Sequence, residues 1–407
     1  MGEVVRLING RAYSQHELFD DGKYRIVRVG NLSGGDRWFY SNMELSDEKY
    51  CEKGDLLYAW ACNFGPYIWK GEKTIYHYHI WKLVEDEDVV DKLFLFHYLK
   101  YLTPYWLGNV NGSVMVHITK GTMEKFPITL PSLRTQRRIA SILSSLDDKI
   151  EVNRRINDNL EQQAQALFKS WFVDFEPFKG GEFVESELGM IPNGWNVGKL
   201  EDILELRRDN IRKEDKWDYP YLPIDIIPMH SLGIYDFKSN DEAQSSLQLF
   251  EKNDIVIGAM RVYFHRVVIA PQKGITRNTC FVLRPKNDNS LAFSVLLCNT
   301  EDAISFASRT SKGSTMPYSV WEGGFNTYKF PCPPNNVIAD FDKLCKPYLE
   351  RIRDAYKENV RLASLRDTLL PRLMSGELSM DGLKGQSAVS PGRCPESKEH
   401  VSNNTAL

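Results

Sequence analysis

The sequence predicts an α+β protein: two pseudo-repeated globular domains, separated by two long helices that form an antiparallel intramolecular coiled coil. Three observations predict it. The stretch EKGDLLYAW at 52–60 returns as EKNDIVIGAM at 251–260. Each copy lies in a segment of short strand-like runs that closes on a proline, Pro131 or Pro334. After each proline the apolar period changes from two to about 3.5.

The first element is the repeat, which is best sought before any other feature. A shift of 199 lays Asp55 on Asp254 and Leu56-Leu57 on Ile255-Val256. KGEKTIYHYHIWKLV (70–84) then matches QKGITRNTCFVLRP (272–285), each a Gly turn entering an alternating run. NGSVMVHITKGTMEKFPITLP (111–131) matches KGSTMPYSVWEGGFNTYKFPCPP (312–334). Three matches in one order point to duplication. Each copy reads as strands rich in Val, Ile, Tyr and Trp, then a helical stretch (93–103; 291–308), then a proline exit.

The second element is the seam. Ile139, Leu143, Leu146, Ile150, Asn153, Asn157, Leu160, Ala164, Leu167 and Trp171 alternate spacings of four and three without a break. A shift of 202 gives Phe341, Cys345, Tyr348, Ile352, Ala355, Asn359, Leu362, Arg366, Leu369 and Leu373, with Arg366 as the intruder. Pro347 is expected to kink or restart the second helix and Pro371 to end it. A helix of this length, about 58 Å, cannot bury its seam alone, so the copy in the same chain is the expected partner. Asn157 and Asn359 hold equivalent positions, where a buried amide would set register and an exposed one would do nothing.

Composition bounds the rest. With 407 residues the chain exceeds one core, and 42% hydrophobic residues allow sizeable ones. No apolar run reaches the ~18 residues of a membrane span. Seven cysteines without a C-x-x-C pair read as reduced thiols, which suggests a cytoplasmic protein without a disulfide frame or zinc motif. The net charge of −3 excludes a uniformly basic coat. No phosphate-cradling loop and no G-x-G-x-x-G occur, and PCPPN at 331–335 sits at a domain exit. His77 and His79 are expected on one face of a strand without a third ligand, so no metal site and no catalytic residue is assigned.

Charge nevertheless has a pattern. The windows 255–287, 92–123 and 303–321 contain no Asp or Glu. They suit a surface facing nucleic acid, though strands disfavour acids in any case. Two like domains joined by a rod would suit duplex DNA carrying two marks at a set separation.

PSLRTQRRIASILSSLDDKIEVNRRINDNLEQQAQALFKSWFVDFEPF (131–178) closely resembles the central conserved region of the specificity subunits of type I restriction-modification systems. LASLRDTLLPRLMSGEL (362–378) resembles their distal conserved region, and GDLLYAWACNFGPYIWKGEKTIYHYHIWKL (54–83) the body of a target-recognition domain. The resemblance implies a first target-recognition domain at 1–132, a central conserved helix at 133–180, a second recognition domain at 181–334 and a distal helix at 335–380. The polar tail 381–407 matches nothing in the family and is expected to be disordered.

The resemblance further implies a non-catalytic subunit that reads the two halves of a split site on double-stranded DNA. Two modification (methyltransferase) subunits would dock on it, and two restriction/translocase subunits can join. S-adenosylmethionine, ATP and Mg²⁺ would belong to those partners. Turn position, charge and the repeat alignment, rather than any family motif, nominate the DNA-contacting residues. They are Arg11, Tyr13, Gln15, Trp60, Asn63, Lys73, Asn111, Ser113, His117 and Lys120 in the first domain. In the second they are Arg207, Arg212, Arg261, His265, Arg266, Arg277, Arg309, Lys312 and Ser314. Two other classes stay open on the residues alone: a scaffold that holds protein partners at the two ends of a rod, and an enzyme with an unfamiliar nuclease or methyltransferase site.

Overall fold

The computed structural model describes residues 1–108, 118–215 and 218–378. The described residues divide into two compact units, those of 1–141 with those from 370 onward, and those of 142–369, so the division falls inside both long helices.

In the first unit, eight strands build two sheets: β1 (Val5–Asn9), β2 (Tyr24–Val27), β3 (Phe39–Ser41), β4 (Tyr50–Cys51), β5 (Leu56–Ala59), β6 (Gly65–Ile68), β7 (Thr74–Tyr76) and β8 (Ile80–Glu85). One sheet has the order β1-β8-β5-β6 and the other β3-β2-β7-β4. Leu56, Leu57, Tyr58 and Ala59 are all fully buried, which is why β5 is an apolar run rather than an alternating one. Helix α1 (Lys92–Gly108) follows, and α2 (Leu133–Phe172) begins two residues past Pro131. The start of α2 is tied down by Gln136, which donates to the carbonyls of Val89 (3.0 Å) and Pro131 (2.8 Å).

The second unit repeats this plan. The strands that carry the repeat are β9 (Leu204–Leu206), β10 (Leu247–Phe250), β11 (Ile255–Gly258), β12 (Val267–Ile269), β13 (Gly274–Arg277) and β14 (Cys280–Pro285), among further short strands of this unit. The order β9-β14-β11-β12 reproduces β1-β8-β5-β6. Register is kept as well: Tyr50 and Cys51 face Ile75 and Thr74, while Leu249 and Phe250 face Ile275 and Gly274. The parallel pairing of Ile26 with Ile75 returns as a parallel bridge from Tyr221 to Ile275.

The repeated phrase has a local reason. Asp55 Oδ2 accepts from the Glu52 N–H at 2.8 Å, and Asp254 Oδ2 from the Glu251 N–H at 2.7 Å. Between them Gly54 has φ 97° and Asn253 φ 72°, and Gly and Asn are the residues that tolerate the left-handed region. The helical stretch expected over 291–308 is two helices, α3 (Leu291–Cys298) and α4 (Glu301–Arg309). They break at Asn299-Thr300, where the Thr300 hydroxyl accepts from the Ala303 N–H and caps α4.

Helix α5 (Asn335–Met374) runs through both Pro347 and Pro371, contrary to the expected restart and stop. Pro347 lies on the exposed side, while Phe341, Cys345, Leu349 and Ile352 are buried on the other. Burying that face outweighs the cost of about 3 kcal/mol for an interior proline. The chain leaves the helix at Gly376, with φ 77°.

Within the second unit α2 and α5 pair antiparallel. Asp147 meets Arg366 (2.6 Å), Asn153 meets Asn359 (2.8 Å), Asn157 meets the Ile352 carbonyl (3.4 Å) and Phe172 meets Phe341 (centroids 4.7 Å). Ile139, Leu143, Ile150, Asn157, Ile352 and Asn359 are buried, and Leu146, Leu160, Leu167, Leu362 and Leu369 half-buried. Phe168 and Phe172 carry the seam into the second domain's core beside Phe293. Arg366, the intruder in the pattern, is accommodated by its ion pair to Asp147.

Candidate nucleic-acid interface

The same hydrogen-bonded corner occurs in each domain. In the first, Trp60 follows β5; its N–H donates to the His79 carbonyl (3.1 Å) and its carbonyl accepts from the Ile118 N–H (3.4 Å). In the second, Ala259 follows β11; its N–H donates to the Thr279 carbonyl (2.9 Å) and its carbonyl accepts from the Ser319 N–H (2.8 Å). Two residues on, Cys62 and Arg261 both take left-handed conformations, with φ 65° and 48°. The backbone frame is shared, and the side chains mounted on it differ.

In the first domain the frame carries aromatic and imidazole rings. Trp60 donates its indole N–H to the Tyr78 carbonyl (2.8 Å), stacks on Trp81 (5.8 Å) and meets His79 (5.1 Å). His77 to His79 form a turn after β7 rather than a continuous strand, but the two imidazoles still meet at 4.9 Å. Burial, then His79 and Arg28, lower the His77 pKa to about 4, so the ring is neutral near pH 7. Burial and Arg28 lower His79 as well. Arg28 and Tyr78 are exposed here and were not singled out in the sequence.

Most other nominated residues of this domain that are described are engaged within the fold. Arg11 pairs with Glu17 (2.6 Å) and covers the ring of half-buried Tyr13. The hydrogen bond from Arg11, with those from Ser14, lowers the Glu17 pKa to about 2. Gln15 is exposed. Asn63 donates to Ser33 (2.7 Å), Lys73 lies 3.6 Å from Glu52, and Lys120 donates to the Leu7 carbonyl (2.9 Å). Asn111, Ser113 and His117 lie outside the described residues.

In the second domain the frame gathers cations and large side chains. The Arg261 N–H donates to the Pro317 carbonyl (2.7 Å), and Lys312 and Tyr318 exchange backbone hydrogen bonds (2.9 Å each) across a loop holding Gly313 and Ser314. Met260 bridges Tyr318. Arg261, Lys312 and Ser314 are thereby assembled together, exposed, beside exposed Tyr263, Met316 and Tyr318. These last three were missed; only Tyr263, two residues past Arg261 in the turn, carried a signal in the sequence. Arg309, exposed, ends α4 three residues before Lys312.

Elsewhere in this domain the acid-free window 255–287 is largely buried strand. His265, nominated for DNA, is a correction: it is 4% exposed and its Nε2 is bonded to Asn299, so the ring is packed inside the domain rather than offered to a base. Arg266 and Arg277 are half-buried. Burial lowers the Arg266 pKa, and its guanidinium lies over Phe264. Arg207 is held by Glu205 (2.9 Å) and Asp209 (3.0 Å), whereas Arg212 is exposed. Among the described residues no helix is long and apolar enough to cross a membrane.

One frame used twice with different side chains, together with paired helices, defines a two-module recognition protein. The family model for the type I restriction modification DNA specificity domain matches residues 1–162 and 192–341, and the chain belongs to that family, the specificity subunits of type I restriction-modification systems. The type I restriction enzyme MjaIX specificity subunit of Methanocaldococcus jannaschii is 29% identical over 316 residues, 74% of this chain and 71% of its own. The HindI specificity subunit of Haemophilus influenzae is 23% identical over 327 residues, covering 64% and 71%. The crystal structure of a type I S subunit from M. genitalium superposes with a TM-score of 0.51 at 16% identity, over 91% of this chain and 94% of that one, a likeness of fold.

Proposed function

We propose that this chain is the non-catalytic DNA-reading subunit of its complex, each domain reading one half of a split target on double-stranded DNA. The observation that carries this is the shared corner with unlike side chains. A backbone frame of the same hydrogen-bond pattern positions contacts in a like way, while Trp60, Tyr78 and His79 on one and Arg261, Lys312 and Ser314 on the other select different bases. The exposed cations serve phosphates and guanine edges, and neutral imidazoles and hydroxyls can donate to or accept from base edges.

In this reading the length of the paired helices sets the spacer between the two half-sites. Modification subunits dock on this chain and methylate adenine with S-adenosylmethionine, and restriction/translocase subunits bring ATP and Mg²⁺ chemistry. The nomination of domain bounds at 1–132, 133–180, 181–334 and 335–380 belongs to the same reading.

The test is to map methylated adenines in a genome where this chain works with its methyltransferase subunit. A two-part motif with a fixed spacer is expected. Arg261→Ala should relax one half only, with about 1–3 kcal/mol lost at the matching base. A continuous motif, or a variant that keeps both halves unchanged, would overturn the reading or remove Arg261 from it, respectively.

A further inference from the structure

Three polar side chains distant in sequence meet behind the Arg261 turn. His265 follows the turn Val262–Phe264, His230 lies in the preceding loop, and Glu301 opens α4. The His230 N–H donates to the His265 carbonyl (2.8 Å), and both residues are left-handed, with φ 51° and 50°. The ring nitrogens and a Glu301 carboxylate oxygen all lie within 4.8 Å of one another.

The buried ring is oriented in a particular way. His265 Nε2 lies 3.1 Å from the Asn299 backbone carbonyl and 2.9 Å from Asn299 Oδ1. A carbonyl only accepts, so Nε2 is the donor, which leaves Nδ1 as the nitrogen whose lone pair would meet an ion. That Nδ1 is buried without a hydrogen-bond partner, although Glu301 Oε1 is 3.2 Å away. Glu301 Oε1 is also 4.0 Å from His230 Nδ1. Ligands of a tetrahedral ion with bonds of about 2.0–2.1 Å stand about 3.3 Å apart, so small rotations of two exposed side chains suffice.

We propose that His230, His265 and Glu301 bind a divalent transition-metal ion of the zinc class. Two imidazoles and one carboxylate are the donor set that such borderline ions take, and a ligating histidine commonly donates its other N–H to a carbonyl, as His265 does to Asn299. The three residues border a cleft of about 860 Å³, so the fourth position is left to water. The ion joins the turn after Arg261 to the start of α4. Its role is to brace the second domain's reading corner, a role that deepens the DNA reading but is tested without DNA.

The experiment uses tag-free, metal-stripped full-length protein titrated with Zn²⁺, and with Co²⁺ as a spectroscopic probe. One equivalent per chain is expected, with the visible bands of four-coordinate Co²⁺ and a rise in melting temperature. His230→Ala and Glu301→Gln alter exposed side chains and should fold; each should weaken binding by about tenfold or more. His265→Ala should abolish the bands, and its fold is checked by circular dichroism. Weak, superstoichiometric binding that survives His230→Ala and Glu301→Gln would be surface adsorption and would overturn the proposal, as would octahedral Co²⁺ spectra. Loss of metal binding with target reading intact would leave the DNA function standing.

Discussion

Asn153 Nδ2 donates to Asn359 Oδ1 over 2.8 Å, between two helices whose partners run in opposite directions. Both side chains are buried, and Asn153 Oδ1 and Asn359 Nδ2 have no further hydrogen-bond partner. The amide pair is therefore half-satisfied. It fixes which turn of α2 meets which turn of α5 at some cost in stability.

Removing one amide should cost more than removing both. Asn153→Ala should lower stability by about 1–3 kcal/mol, because Asn359 is left buried and unpaired. Asn153→Leu with Asn359→Leu should be neutral or stabilising while loosening register. Urea midpoints of the two single variants and the double variant measure this coupling.

Glu161 gives the protein a pH response. It is buried on α2, accepts from the Leu232 N–H (2.9 Å) and the Ser231 hydroxyl (3.0 Å), and has Asp158 nearby. Burial outweighs those hydrogen bonds and raises its pKa from 4.5 to about 7. A raised carboxyl pKa means the folded state binds the proton more tightly. The contribution is whole below pH 4.5 and is lost as pH climbs to about 7, on the order of 3 kcal/mol in all. Melting curves of the parent and Glu161→Gln from pH 5 to 8 should converge at low pH, and the variant should lose less stability on the way up.

The repeated aspartates should differ in worth. Asp254 is 1% exposed and takes a two-point hold from Arg284, at 2.7 and 2.8 Å. Asp55 is more open and meets Lys82 at a single 2.6 Å contact. Asp254→Ala should therefore cost about 3 kcal/mol and Asp55→Ala distinctly less, read as shifts of the denaturation midpoint.

Helix length should set the spacer. Adding one heptad to α2 between Leu143 and Ile150, with another facing it in α5 between Asn359 and Arg366, lengthens the pair by about 10 Å. That is about three base pairs of duplex. Methylome sequencing should then show both half-sites unchanged and the gap between them longer.

Much of this was legible because certain positions permit few residue types. Glu-x-Gly/Asn-Asp marks a turn with one left-handed residue and one backbone-capping carboxylate, so it is spelled almost alike in both copies. A seam is legible for a similar reason: burial on one helix face forces a 3.5 period, whatever lies opposite.

Opposition itself was not legible. Asn157 and Asn359 occupy equivalent seam positions in the sequence, yet the antiparallel crossing places Asn359 against Asn153 and sends Asn157 to the Ile352 carbonyl. The roles of the cations were equally hidden. Arg207 and Arg261 were both nominated from turn position, charge and the repeat, but Glu205 and Asp209 engage the first, while the second stays exposed in a left-handed turn.

The sequence by itself determined the duplicated α+β domains and the two paired helices, because local turn chemistry and apolar period act over neighbouring residues. Only the tertiary structure decided which side chains share a corner, and that His230, His265 and Glu301 converge. Their meeting depends on packing between segments tens of residues apart, which leaves no spacing along the chain.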